Sequence, residues 1–344
     1  MSGWRKQRPP LRAAFLMAWA GLVSASGAIY AQAGGAEIAI TSSGGSSQEP
    51  AAQSAAGSLP APAQLGGAPD AAFAAYQRGY YLTAMREAVQ RVNADPSDGP
   101  AMTLIGELYK QGLGVPRDAA EAARWYELAA DLSDPHAAFA LAIAKLNGDG
   151  VPKDRTSAAQ LLAKAAAKNH PGALYNLGVL AIENDGAAKN SAKAAELFRR
   201  AAELGDSDAA YALGLLYKNG SGVEKSDEEA ANWIGRAAKD GNVPAEVEYA
   251  IMLFNGAGTE VNEAAAARLF LKAAVSNNPV AQNRVARILA AGRGLPRDMV
   301  EAMKWHLLAK AAGIKDDWLD GELATLSPED KAAVEARLRH FTGN

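Results

Sequence analysis

The chain has no cysteine among its 344 residues, so disulfide frameworks, zinc–thiolate clusters and thiol nucleophiles are excluded outright. Aromatic residues are scarce at 7%, against an abundance of alanine, a balance that suits closely packed helices and disfavours strands. An excess of one charge is also missing. The 35 basic and 38 acidic residues leave a net charge of -3, which gives no reason to expect nucleic acid or an anionic membrane as the main partner. Long apolar runs are lacking too. The stretch from Ala13 to about Val23 is short and alanine-rich for a membrane span of about 20 residues.

What is present begins with an address. Arg5, Lys6, Arg8 and Arg12 form a basic region ahead of that apolar stretch, and Ala31-Gln32-Ala33 fits a cleavage site before Gly34. Residues 1–33 therefore read as a signal peptide, which implies a periplasmic or secreted chain; an uncleaved inner-membrane anchor is the alternative. Residues 34–69 are Gly, Ser, Ala, Gln and Pro with hardly any large apolar side chain. Such a segment buries too little surface to offset its ordering entropy, and it reads as a disordered linker.

From residue 100 to residue 315 the chain repeats every 36 residues, six times, without insertions. One column is glycine throughout: Gly114, Gly150, Gly186, Gly222, Gly258 and Gly294. Alanine fills two more, beginning at Ala101 and Ala129, and a large apolar column runs Trp125, Leu161, Leu197, Trp233, Leu269, Trp305. A small residue recurs at Gly106, Ala142, Gly178, Gly214, Ala250 and Ala286, where it lets a second helix approach.

The remaining columns read as helix signals. Helix A of each unit ends in a Gly-x-Gly turn such as Gly112-Leu113-Gly114. Helix B opens on an N-cap column of Asp118, Asp154, Asn190, Ser226, Asn262 and Asp298, with Glu121, Glu229 and Glu301 at the capping-box position. Its stop column is Ser133, Asn169, Gly205, Gly241, Asn277 and Gly313. The predicted architecture is all-α: an α/α superhelical solenoid of six helix-turn-helix repeats. A degenerate helical cap at 70–99 precedes it and a C-terminal capping helix at 316–344 follows.

These columns resemble a known family. Gly106-Glu107-Leu108-Tyr109, then Gly112 to Asp118, then Glu121-Ala122, Trp125 and Ala129-Ala130, are similar to the Sel1-like repeat, a relative of the tetratricopeptide repeat. The fourth and sixth units match nearly as well. The third departs at Asn184, and the fifth at Thr259-Glu260. The resemblance covers about two-thirds of the chain. It implies a superhelical adaptor for protein complexes, often exported in bacteria, and not an enzyme.

Chemistry finds no foothold in the sequence. Of the four histidines, His136, His170, His306 and His340, the first two sit at equivalent inter-repeat turns; no ligands at helical spacing accompany them and they read as solvated turn residues, so no metal site or cofactor is expected. The paired acids Glu228-Glu229 and Asp316-Asp317 read as groups at helix starts or in solvated loops. No catalytic residue is assigned, because no nucleophile elbow, P-loop or dinucleotide fingerprint stands in its required context.

If helix A lines the concave face, as in related repeats, three of its columns point inward. They hold Phe139, Ile143 and Leu146, then Tyr175, Val179 and Ile182, then Tyr211 and Leu215, then Val247, Ile251 and Phe254. At the ends they turn polar, with Thr103, Glu107 and Lys110 on one side and Asn283 and Arg287 on the other. This pattern is either a partner-binding groove or core between tightly wound helices. The function expected is a non-enzymatic protein-protein scaffold or regulator in the bacterial cell envelope, its partner a membrane sensor or an envelope assembly complex. The alternative is an accessory factor that binds cell-wall or secreted polysaccharide.

Overall fold

A computed structural model describes residues 70–183 and 188–343. The signal-peptide and linker assignments, together with Gly186, lie outside them. Among the described residues there are sixteen α-helices and no strand. Helices α1 (Ala71–Gln77) and α2 (Tyr81–Ala94) lead into the array. Six pairs follow: α3 (Gly99–Gln111) with α4 (Ala119–Asp131), α5 (Pro135–Asn147) with α6 (Arg155–Ala167), and α7 (Pro171–Glu183) with α8 (Ala188–Glu203). Next come α9 (Ser207–Asn219) with α10 (Asp227–Lys239), α11 (Val243–Asn255) with α12 (Glu263–Val275), and α13 (Pro279–Ala291) with α14 (Met299–Ala311). Residues 316–344 carry two helices rather than one, α15 (Asp317–Thr325) and α16 (Pro328–Thr342).

Each A helix packs on its own B helix, and each B helix on the A helix of the next unit. Both alanine columns lie at these contacts, no more than 1% exposed in any unit. The small column explains how closely a pair can pack. A β-carbon on Gly178 would fall 2.5 Å from the Phe198 ring, and one on Gly214 would fall 2.5 Å from Ile234. The fully buried large column is the residue after the tryptophan column: Tyr126, Leu162, Phe198, Ile234, Phe270 and His306.

Caps hold the ends of the helices. Asp118, Asp154, Ser226, Asn262 and Asp298 take extended backbone angles, and their side chains accept amides of the first turn of helix B. Each such cap contributes about 1 kcal/mol. The reciprocal capping-box bond is not available to Glu121, Glu229 or Glu301. The cap residue's own amide is already committed to a carbonyl nine residues upstream in helix A, as in Asp118 N to Tyr109 O at 2.9 Å and Asp298 N to Leu289 O at 3.1 Å. Glu121 instead pairs with Arg124, and Glu301 with Lys304 and Arg337. Asn190 is a correction of another kind, since α8 starts at Ala188 and encloses it. At this column the third unit places the strong helix former Ala188, where the first, second and sixth units have proline and the fourth and fifth have Glu224 and Glu260.

The stop column of helix B adopts the left-handed conformation in every unit, including the three positions without glycine: Ser133, Asn169 and Asn277 at φ 66°, 59° and 60°. The second glycine of the Gly-x-Gly turn has a further role. On Gly258 a β-carbon would sit 1.8 Å from the Asp227 carbonyl oxygen, at the start of the preceding unit's helix B; on Gly150 it would sit 2.1 Å from that of Ala119. This glycine is the point where neighbouring units touch backbone to backbone. Gly114 meets the start of α2 in the same way, with Leu82 N at 3.0 Å, so α1 and α2 stand where a preceding unit would.

Candidate partner-binding face

The A helices are positioned by a cap column that the sequence reading did not single out: Asp98, Asp134, His170, Asp206, Asn242 and Asn278, again spaced by 36. Asp134 accepts the Ala137 amide at 2.8 Å and Asn278 that of Ala281 at 3.0 Å. In the third unit the acceptor is His170 Nδ1, 3.2 Å from the Ala173 amide. Five Asp or Asn residues at one spacing were the available signal.

The inward columns start from these caps. Thr103 Oγ1 donates to Gly99 O at 3.0 Å and to Asp134 Oδ1 at 3.2 Å, so the first column touches the cap of the next unit. One unit on, the Phe139 ring stacks on His170 with centroids 4.5 Å apart, and His136 meets the same imidazole edge-on at 4.9 Å. Tyr175 leans on the buried Phe198 ring, 5.6 Å away, beside Asp206 and Asp208. Of the eleven apolar residues in these columns, Val179 and Val247 are 6% and 8% exposed and belong to the packing. The other nine keep part of their surface open: Phe139, Ile143, Leu146, Tyr175, Ile182, Tyr211, Leu215, Ile251 and Phe254.

The strip is interrupted and charged. In the fourth unit Lys218 occupies its third column and pairs with Glu248. Burial raises the Tyr175 hydroxyl above its ordinary value, helped by Asp208 and Asp206, and pushes Tyr211 up to about 12, helped by Glu248. Burial also raises Asp206, against a bond from the Ala209 amide, and the protein crowded around Asp208 raises that carboxyl while its surface stays open.

At both ends the polar residues are spent on internal bonds. Glu107 accepts from the Tyr126 hydroxyl at 2.7 Å. Asp316 is not a solvated loop acid. It is the buried N-cap of α15, accepting from Arg287 Nε and Nη2 at 2.6 and 2.8 Å and from Asn283 at 2.7 Å. Burial alone would raise its carboxyl, but those bonds hold it down at about 2.

The histidines divide. His306 is fully buried in α14, its Nε2 2.8 Å from Asp320 Oδ1, and it occupies the column that is apolar in the other five units. Burial, reinforced by His136, lowers His170 to about 4, so at neutral pH its ring is uncharged and able to cap. His136 and His170 are both half-buried, which corrects their solvated-turn reading, and His340 is exposed. Among the described residues no three His, Asp or Glu side chains gather as metal ligands, and no helix is long and apolar enough to cross a membrane.

A cavity of about 560 Å³ lies where the strip ends, between α11, α13 and α15. Ile251 and Phe254 form one wall; Arg284, Arg287, Arg293 and Trp318 stand around it. Trp318 falls outside the repeat, so periodicity gave it no prominence.

Paired helices with capped ends, joined backbone to backbone through glycine, define a helical-repeat solenoid with a part-apolar A-helix face. The chain belongs to the Sel1 repeat family, whose model matches residues 99–134, 135–170, 171–206, 207–242, 243–277 and 279–314. A Sel1 repeat protein from Oxalobacter formigenes is 29% identical over 72% of this chain and 99% of its own, with a TM-score of 0.61. A protective antigen present in uropathogenic Escherichia coli strains, displaying the same repeat fold, is 24% identical over 76% of this chain and 64% of its own, with a TM-score of 0.48. No curated protein matches the sequence. Sel1-repeat proteins are generally protein-interaction scaffolds, and the fold is typically non-catalytic.

Proposed function

We propose that this chain is an exported scaffold or regulator of the bacterial cell envelope that holds a protein partner, a membrane sensor or an envelope assembly complex, on its A-helix face. The observation that carries the reading is the partial exposure of nine large apolar side chains in columns that repeat from unit to unit. Surface of that kind costs solvation in the free protein and is recovered when a helix or extended peptide covers it. The basic and apolar residues 5–23 with the Ala31-Gln32-Ala33 site support export.

Affinity capture with residues 34–344, from detergent-solubilised envelope of the protein's own organism, tests the reading. A partner protein is expected, and Phe139→Asp is expected to lose it while thermal unfolding stays cooperative. Retention on isolated cell-wall or capsule polymer, with no protein recovered, would overturn the adaptor reading in favour of polysaccharide binding.

A further inference from the structure

The cavity at the end of the strip has a chemistry that the rest of the face lacks. Its lining contains three arginines and no acidic residue, together with Phe254, Trp318 and the aliphatic Ile251 and Ile288. Two of the guanidiniums are already fixed in place. Arg287 spends Nε and Nη2 on Asp316 and lies 5.4 Å over the Trp318 ring, while Arg293 spends Nε and Nη2 on Glu263 and lies 4.3 Å over Phe254. Each keeps Nη1 free of those carboxylates. Arg284 is exposed and, among the described residues, makes no ion pair or hydrogen bond.

From this geometry we infer that the cavity receives an acidic segment of a partner protein, one carboxylate on Arg284 and a neighbouring aromatic or aliphatic side chain between Phe254 and Trp318. The inference rests on the interaction reading above and specifies one subsite of it. Charge complementarity selects the occupant. A guanidinium with five unspent donors matches a carboxylate, and the fixed Arg287 and Arg293 hold their rings in position without cancelling it. The apolar walls require that the acidic residue be flanked by a side chain able to fill them. An extended peptide meets both needs, because each acidic residue in it has an apolar neighbour within one residue's rise of about 3.3 Å.

Calorimetric titration of the full chain with three synthetic peptides decides the matter. One alternates phenylalanine with glutamate, one phenylalanine with glutamine, and one phenylalanine with lysine. The glutamate peptide should bind at least about tenfold more tightly than the other two, and its affinity should fall as salt is raised. Arg284→Glu should remove that preference; since Arg284 has no bond to lose among the described residues, its thermal unfolding should match the parent. Trp318→Ala should weaken all three peptides alike. Equal binding of glutamate and glutamine peptides, abolished by Phe139→Asp and untouched by Arg284→Glu, would overturn the acidic subsite and leave the interaction reading standing. Binding of no peptide at all would overturn the subsite, with the envelope capture still deciding the broader reading. Tighter binding of single-stranded oligothymidylate than of the glutamate peptide would overturn it in favour of a phosphate site.

Discussion

Replacing Gly258 with alanine separates two demands that glycine meets in this fold. Gly258 has φ 69° and Gly241 has φ 86°, so both lie where a β-carbon is unfavourable by about 1–2 kcal/mol. Alanine regains part of that, about 0.5–1 kcal/mol, by restricting the unfolded chain. Gly241→Ala, with nothing within 4 Å of the added carbon, should therefore destabilise by about 1 kcal/mol. At Gly258 the same carbon would lie 1.8 Å from the Asp227 carbonyl oxygen and 2.8 Å from the Glu228 amide nitrogen. Backbone cannot swing aside as a side chain can, so the fourth and fifth units must separate, at a further cost of about 2–3 kcal/mol by analogy with overpacked cores. Gly258→Ala should lose about 3 kcal/mol in urea unfolding, read by circular dichroism, and Gly241→Asn should be nearly neutral, since Asn169 and Asn277 fill that column elsewhere. Equal losses for the two alanine variants would refute the argument that close approach, beyond backbone angle, selects the seam glycine.

Two further perturbations test the polar interior. His170 caps α7 only while its Nδ1 is unprotonated, and its folded value of about 4 lies below the ordinary 6.5. Below pH 6.5 the unfolded chain takes up a proton that the folded chain refuses. Stability should then fall by about 1–2 kcal/mol as pH drops toward 4, after allowance for solvent screening of a half-buried ring. His170→Asn, compared by melting curves across that window, should flatten the fall, and an unchanged slope would remove His170 as its source. Glu246, 1% exposed, pairs with the half-exposed Lys272 in a column that holds Ala138 and Ala210 in other units. Lys272→Ala should cost about 2 kcal/mol by stranding the carboxylate, and the double change with Glu246→Ala should recover most of it. Failure of the double variant to recover would show that Glu246 contributes through packing instead.

Much of this architecture is legible because it depends on local backbone demands that only certain residues meet. A left-handed stop needs Gly or Asn, and a cap needs a short acceptor, so both reappear every 36 residues and identify themselves. Ser133 is the exception in residue type, and only its place in the column marks it as a stop. What stayed hidden depends on contacts between units. Nothing in the sequence around Gly258 shows that Asp227 lies against it, or that Phe139 will stack on the cap of the next helix. His170 was hard to recognise as a cap because it does the work of the Asp and Asn residues in its column with a ring nitrogen. The start of α8 at Ala188 went unread because Asn190 keeps the residue type of the cap column. On the A-helix face, alternating apolar residues fit a groove and a core equally well. Only burial separates Val179 from Tyr175. The arginine-lined cavity gathers Trp318 of α15 with residues of two A helices, an arrangement that no single repeat encodes.

The seam glycines have one more consequence. Because neighbouring units also meet main chain against main chain at the seam glycines, the half-exposed side chains of the A-helix face are not alone in keeping the pitch of the array. Those that touch no neighbouring unit, unlike Thr103 and Phe139, can be exchanged with the seam left intact. Recognition and architecture thus share the A-helix face but not the glycine seam, and a change of partner that spares the inter-unit contacts need not disturb the scaffold that meets it.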